Sequence, residues 1–134
     1  MRDDRHARHR RADADRRRRP VDGHRARDRA RFERLAVDAL TELPVALRAH
    51  LEGVVLTIED VPPARPETEV QLGRYEAGTR HRADADRVAL YRRPLEARAH
   101  ARHDLAELIR VVVVDLLADH LGLDDDDLGA LGWG

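Results

Sequence analysis

Residues 103 to 134 read HDLAELIRVVVVDLLADHLGLDDDDLGALGWG, and the part up to Leu121 decides the fold. Leu105, Ile109, Val112, Val113 and Leu116 recur at three- and four-residue spacings, the period of one helix face. Four consecutive valines, Val111 to Val114, are apolar all round such a helix and predict burial on more than one side. The helix is expected to begin near His103 or Asp104 and to end at Leu121, with Gly122 as its C-terminal cap. Into this apolar run the sequence sets Asp115 and Asp119, four residues apart and therefore on one helical face. An unpaired carboxylate in an apolar setting costs several kcal/mol. Their face is thus predicted to look onto water, a cleft or something cationic.

The rest of the chain is read outward from that helix. Asp124 to Leu131 predicts a brief acidic turn or helix. Upstream, RVALYRRPL at 87 to 95 predicts a strand whose Pro94 marks its end or a free edge. EVQLGRYEA at 69 to 77 alternates as a second strand, with Gly73 marking a bulge. VVLTIEDV at 54 to 61 is rich in β-branched residues and stops at Pro62 and Pro63, so it is read as the first strand. Residues 64 to 68 and the charged stretch Gly78 to Asp86 are read as loops. Phe32, Leu35, Ala36, Ala39, Leu40 and Leu43 predict an amphipathic helix from Ala30 to Pro44, followed by a short helix from Val45 to Leu51 that Gly53 ends. The elements place the chain in the α+β class.

At 134 residues the chain suits one domain and a tail. All 25 basic residues are Arg, and Lys, Ser, Asn and Cys are missing, a bias that suggests a GC-rich bacterial genome. Without cysteine there are no disulfides, thiolate metal sites or thiol nucleophiles. Serine nucleophiles are excluded in the same way, and no glycine-rich loop follows a strand to cradle phosphate. No apolar stretch is long enough to span a membrane and the N-terminus has no signal-like apolar region, so a cytoplasmic protein is expected.

The net charge of −1 conceals an asymmetry. Residues 1 to 31 hold 13 Arg against 6 Asp, whereas residues 115 to 134 hold 6 Asp and no basic residue. Residues 1 to 28 carry almost no large apolar side chain and are expected to form a disordered arm, with the folded domain at 29 to 134. The tract RRRR at 16 to 19 can touch nucleic acid or acidic partners by electrostatics, but interspersed Asp and the lack of aromatics favour a solubilising tail.

The order helix, strand, strand, strand, long helix, acidic turn, Gly-Trp resembles the small bacterial zincin-like metallopeptidases, or minimal zincins. The likeness is carried by RFERLAVDALTELP, VVLTIEDVPP, LGRYEAG, VALYRRPLEARAH and ADHLGLDDDDLGALGW. It implies a three- or four-stranded sheet packed on the long motif-bearing helix, with the N-terminal helices covering the rest. In that family the helix carries H-E-x-x-H-x-x-G-x-x-[HD], whose two imidazoles, one turn apart, bind Zn²⁺ while the Glu polarises the bound water. Alignment on Gly122 puts the metal ligands at Asp115, Asp119 and Asp125, and the catalytic Glu at Leu116. Leu116 cannot accept a proton, and all-oxygen ligation suits Mg²⁺, Mn²⁺ or Ca²⁺ better than Zn²⁺. A peptidase frame with a degenerate active site is the implied reading. The alternatives are a working metal-dependent hydrolase with an all-carboxylate site and an Arg-rich interaction protein whose arm recruits acidic partners.

Plainer readings stand beside each candidate. Asp104, Glu107, Asp115 and Asp119 can form one solvated stripe, and Asp124 to Asp127 an exposed acidic turn. His120 lies one residue beyond the second ligand position, about 100° further round the helix, and is expected in the interior. His100 and His103 are expected at the surface, and Glu59 and Asp60 are possible acids or bases at the end of the first strand.

Overall fold

The computed structural model describes residues 23–63, 71–79 and 84–134. Helix α1 runs through residues 23–41. Helix α2 (Val45–Ala49), strands β1 (Val55–Glu59), β2 (Gly73–Glu76) and β3 (Arg87–Tyr91), and helices α3 (Arg92–Arg98), α4 (Arg102–Leu121) and α5 (Asp125–Ala130) follow. The strand order is β1-β3-β2, with β3 parallel to β1 and antiparallel to β2. Its central place explains its sequence: Val88 to Tyr91 are all buried, so the strand reads as a continuous apolar run. The edge strand β2 alternates between half-buried and exposed residues, with one side turned to the protein.

The four valines fulfil their prediction through two separate apolar clusters. Ile109, Val112 and Val113 join Phe32, Ala36 and Ala39 of α1, Val88 and Leu90 of β3, and Leu95 of α3. Val114, Leu117 and Ala118 join Leu43, Leu47 and Leu128 on the other side. Only Val111 is left 38% exposed. Arg110 adds a 3.0 Å ion pair to Glu42 at the end of α1. Helix α4 stops at Gly122, whose φ of 68° and ψ of 36° are left-handed and disfavour any residue with a Cβ.

Several boundaries differ from the sequence expectation. Strand β3 ends at Tyr91, not Leu95, and Pro94 lies in the first turn of α3. A proline there sacrifices no helical hydrogen bond, whereas in a central strand it would leave a ladder position unpaired. Gly73 marks no bulge, because the register with β3 continues from Gly73↔Leu90 to Glu76↔Arg87. The glycine is needed for close approach instead: a Cβ would stand 2.9 Å from the Ala89 carbonyl oxygen and 3.1 Å from Leu116 Cδ1. Helix α1 already includes residues 23–28, which were expected to belong to the arm. Ala26 and the arginines Arg25 and Arg27 are good helix formers, and a helix anchored at Phe32 extends through them. Residues 1–22 and the expected loop at 64–68 lie outside the described residues. Among the described residues no helix is long and apolar enough to cross a membrane.

Candidate functional site

The sequence candidates lie on the last turns of α4, which packs on strand β2, and at the start of α5. Asp115 and Asp119 sit one turn apart on α4 and Asp125 opens α5, all three exposed. Partial burial, with the negative charges of Asp119 and Asp125, raises the Asp115 carboxyl above the ordinary carboxylate range. Asp115 therefore feels both neighbouring carboxylates. Among the described residues, however, no group of three or more His, Asp or Glu side chains is arranged to hold a metal ion.

A carboxyl raised in the folded state contributes stability below its unfolded pKa, and that contribution is lost as pH rises through the folded value. At neutral pH the ionised Asp115 opposes folding, although solvent screens the effect. Asp115→Asn is therefore expected to raise the melting temperature by about 1–3 °C at pH 7, with no difference near pH 3. Thermal melts followed by circular dichroism at both pH values check this; a lower melting temperature at pH 7 contradicts it.

Leu116, at the position aligned with the catalytic Glu, is half-buried and packs against the first apolar cluster. Its Cδ1 fills the space that the absent Cβ of Gly73 leaves over β2. The position is thus part of the helix-to-sheet packing.

The acidic run has a local explanation. The Asp124 side chain accepts from the Asp127 backbone N–H at 2.8 Å, and the Asp127 side chain accepts from the Asp124 N–H at 3.0 Å. This reciprocal cap starts α5, and Asp125, Asp126 and Asp127 complement the positive end of its dipole. The short helix is then held by Leu128, which is 6% exposed.

His120 corrects its expectation, since its side chain is 33% exposed rather than interior. Its ring stacks on Tyr75 with centroids 3.9 Å apart and planes at 18°. Its Nε2 lies 3.7 Å from Asp86 Oδ2. The Tyr75 hydroxyl donates to that same oxygen at 2.6 Å, and the Gly78 N–H donates to Asp86 Oδ1 at 2.7 Å. Burial and the Asp86 carboxylate push the Tyr75 phenol up to about 12. The Tyr75 and Gly78 hydrogen bonds hold the Asp86 carboxyl below the usual range. Sequence reasoning missed this trio. The signal was the antiparallel pairing of Tyr75 with Val88, which brings Asp86 diagonally within reach.

His103 is exposed and lies 3.1 Å from Asp104. His100 precedes α4, so the two histidines do not share a helical face. Asp60 serves packing: its Oδ1 is 3.1 Å from Nε of Arg92, a side chain only 8% exposed, and its carbonyl accepts from the Arg93 N–H. Glu59 is exposed at the end of β1. A cleft of about 290 Å³ beside Arg92, lined also by Asp28, Arg31, Phe32, Leu35, Glu96 and Leu105, includes none of Asp115, Asp119 and Asp125.

Residues 51–133, from the end of the α2 turn through Trp133, match the family model of the zincin-like metallopeptidases. The chain belongs to this family. No curated protein matches it significantly. The zinc ion that family membership implies does not fit the donor set of this zincin-like chain. Zinc prefers imidazole and thiolate, whereas positions 115, 119 and 125 offer carboxylates alone.

Proposed function

We propose that this zincin-like family member does not hydrolyse peptides by zinc-activated water and acts through binding on an inherited peptidase frame. The observation that carries this is Leu116. An aliphatic side chain occupies the aligned position of the water-activating Glu and is committed to packing against Gly73 and β3. Without a proton acceptor there, an attacking water has no base from that position. Flanking Asp115 and Asp119 provide neither of the two imidazoles. A cytoplasmic bacterial setting accords with the all-arginine, cysteine-free composition.

The test is proteolysis of quenched fluorescent peptide libraries by the full chain, with and without added zinc. The expected result is no cleavage above the buffer rate at either condition. Cleavage that a chelator abolishes and zinc restores overturns the proposal.

The electrostatic pressure on Asp115 favours a second reading, in which Asp115, Asp119 and Asp125 accept a hard divalent cation such as Mg²⁺, Mn²⁺ or Ca²⁺ after local adjustment. Under that reading millimolar Ca²⁺, Mg²⁺ or Mn²⁺ raises the melting temperature and Asp115→Asn abolishes the rise. No rise with any of the three metals removes it.

A further inference from the structure

From an exposed basic stripe of α1, whose Arg31 also borders the cleft beside Arg92, we infer that the chain binds the phosphate backbone of duplex nucleic acid through Arg27, Arg31 and Arg34. These residues fall at i, i+4 and i+7, so one stripe of the helix carries three guanidinium groups over about 10 Å of its axis. All three are exposed, and among the described residues none is held in an ion pair. The inner face of the same helix is buried through Phe32, Ala36 and Ala39, which anchors the stripe on the folded domain. Because the helix that carries the row is already folded, meeting phosphates costs side-chain entropy but no backbone ordering. One turn beyond Arg34 stands Asp38, so the basic stripe closes towards the C-terminus of α1.

The chemistry of the face selects the partner. It carries no aromatic side chain, so it offers no platform for unstacked bases and suits a paired backbone. Stable attachment to an anionic membrane needs an apolar insertion or lipid anchor beside the charges, and the apolar face of α1 is already occupied by the core. The acidic C-terminal region of a second copy remains a competitor for the same charges, and the experiment separates it.

Fluorescence anisotropy of a labelled DNA duplex of about 20 base pairs, titrated with the full chain at several salt concentrations, tests the inference. The expected result is binding at low salt whose logarithm falls linearly with log salt. Arg27→Gln/Arg31→Gln/Arg34→Gln weakens binding at least tenfold and reduces the salt slope by about 2–3, as loss of three phosphate contacts requires. Arg27→Lys/Arg31→Lys/Arg34→Lys retains most of that slope, which excludes a purely structural effect. Circular dichroism confirms that each variant folds. Binding unchanged in the glutamine variant overturns the inference, as does no binding at low salt. Stronger binding to phosphatidylserine vesicles than to the duplex, or a salt-sensitive dimer in sedimentation that the glutamine variant loses, assigns the stripe to a membrane or to a second copy and equally overturns it.

Discussion

Leu90→Ala is expected to remove about 3–4 kcal/mol of folding free energy, near the upper part of the range for truncating a buried leucine. Leu90 is fully buried in the central strand and belongs to the cluster that joins α1, α3, α4 and the sheet. Its Cδ2 also lies 3.3 Å from where a Cβ of Gly73 would stand, so the side chain is enclosed by backbone on the β2 side. Backbone collapses poorly into a void, and the cavity term is correspondingly large. For a domain of marginal stability this corresponds to a fall in melting temperature of roughly 10–20 °C. Urea unfolding followed by circular dichroism measures it, with Leu90→Val expected to lose only about 1 kcal/mol. A loss below that value for Leu90→Ala contradicts the placing of β3 at the centre of the core.

Arg92→Met is expected to destabilise the fold by about 2–3 kcal/mol, at or below the usual range for breaking a buried pair because its partners keep some water. Arg92 is 7% exposed and bridges two elements, with Nε 3.1 Å from Asp60 at the end of β1 and Nη1 3.3 Å from Glu96 one turn along α3. Burial disfavours the guanidinium charge, but the two carboxylates more than offset it and raise the Arg92 pKa above its ordinary value. Removing the cation leaves Asp60, 21% exposed, without its partner. A double-mutant cycle with Asp60→Asn checks the cause: the second substitution should cost much less in the Met background than in the natural chain. Additive losses in urea unfolding would show that Arg92 acts through packing alone.

Periodicity made the long helix legible, because the apolar spacing from Leu105 to Leu116 and the four valines each specify buried faces that the two clusters supply. The left-handed end at Gly122 was legible for the same local reason. The strand boundaries were less so. Arg92 and Arg93 look equally suited to strand or helix, and only the packing of Leu95 and the Asp60 pairing draw the chain into α3 directly after Tyr91. Gly73 looks in the sequence like a local irregularity because its reason is tertiary: Leu116 approaches from more than 40 residues away in sequence.

The candidate site divides in the same way. The positions of Asp115, Leu116 and Asp119 followed from helical geometry, and their family context from the string ending in Gly-Trp. The reciprocal cap between Asp124 and Asp127 was hidden inside a run of four identical residues. Helical phase alone points His120 to the interior, because it does not show that Tyr75 and Asp86 meet its ring at the surface.

In the function proposed above, Leu116 and its two aspartate neighbours stand in place of a zinc-activating arrangement. Metal analysis of the full chain after incubation with excess zinc and exhaustive dialysis tests this most directly. Less than about 0.1 zinc per chain is the predicted result, since structural and catalytic zinc sites are held by imidazole or thiolate ligands that these positions lack. One zinc per chain, lost on Asp115→Ala, would contradict it.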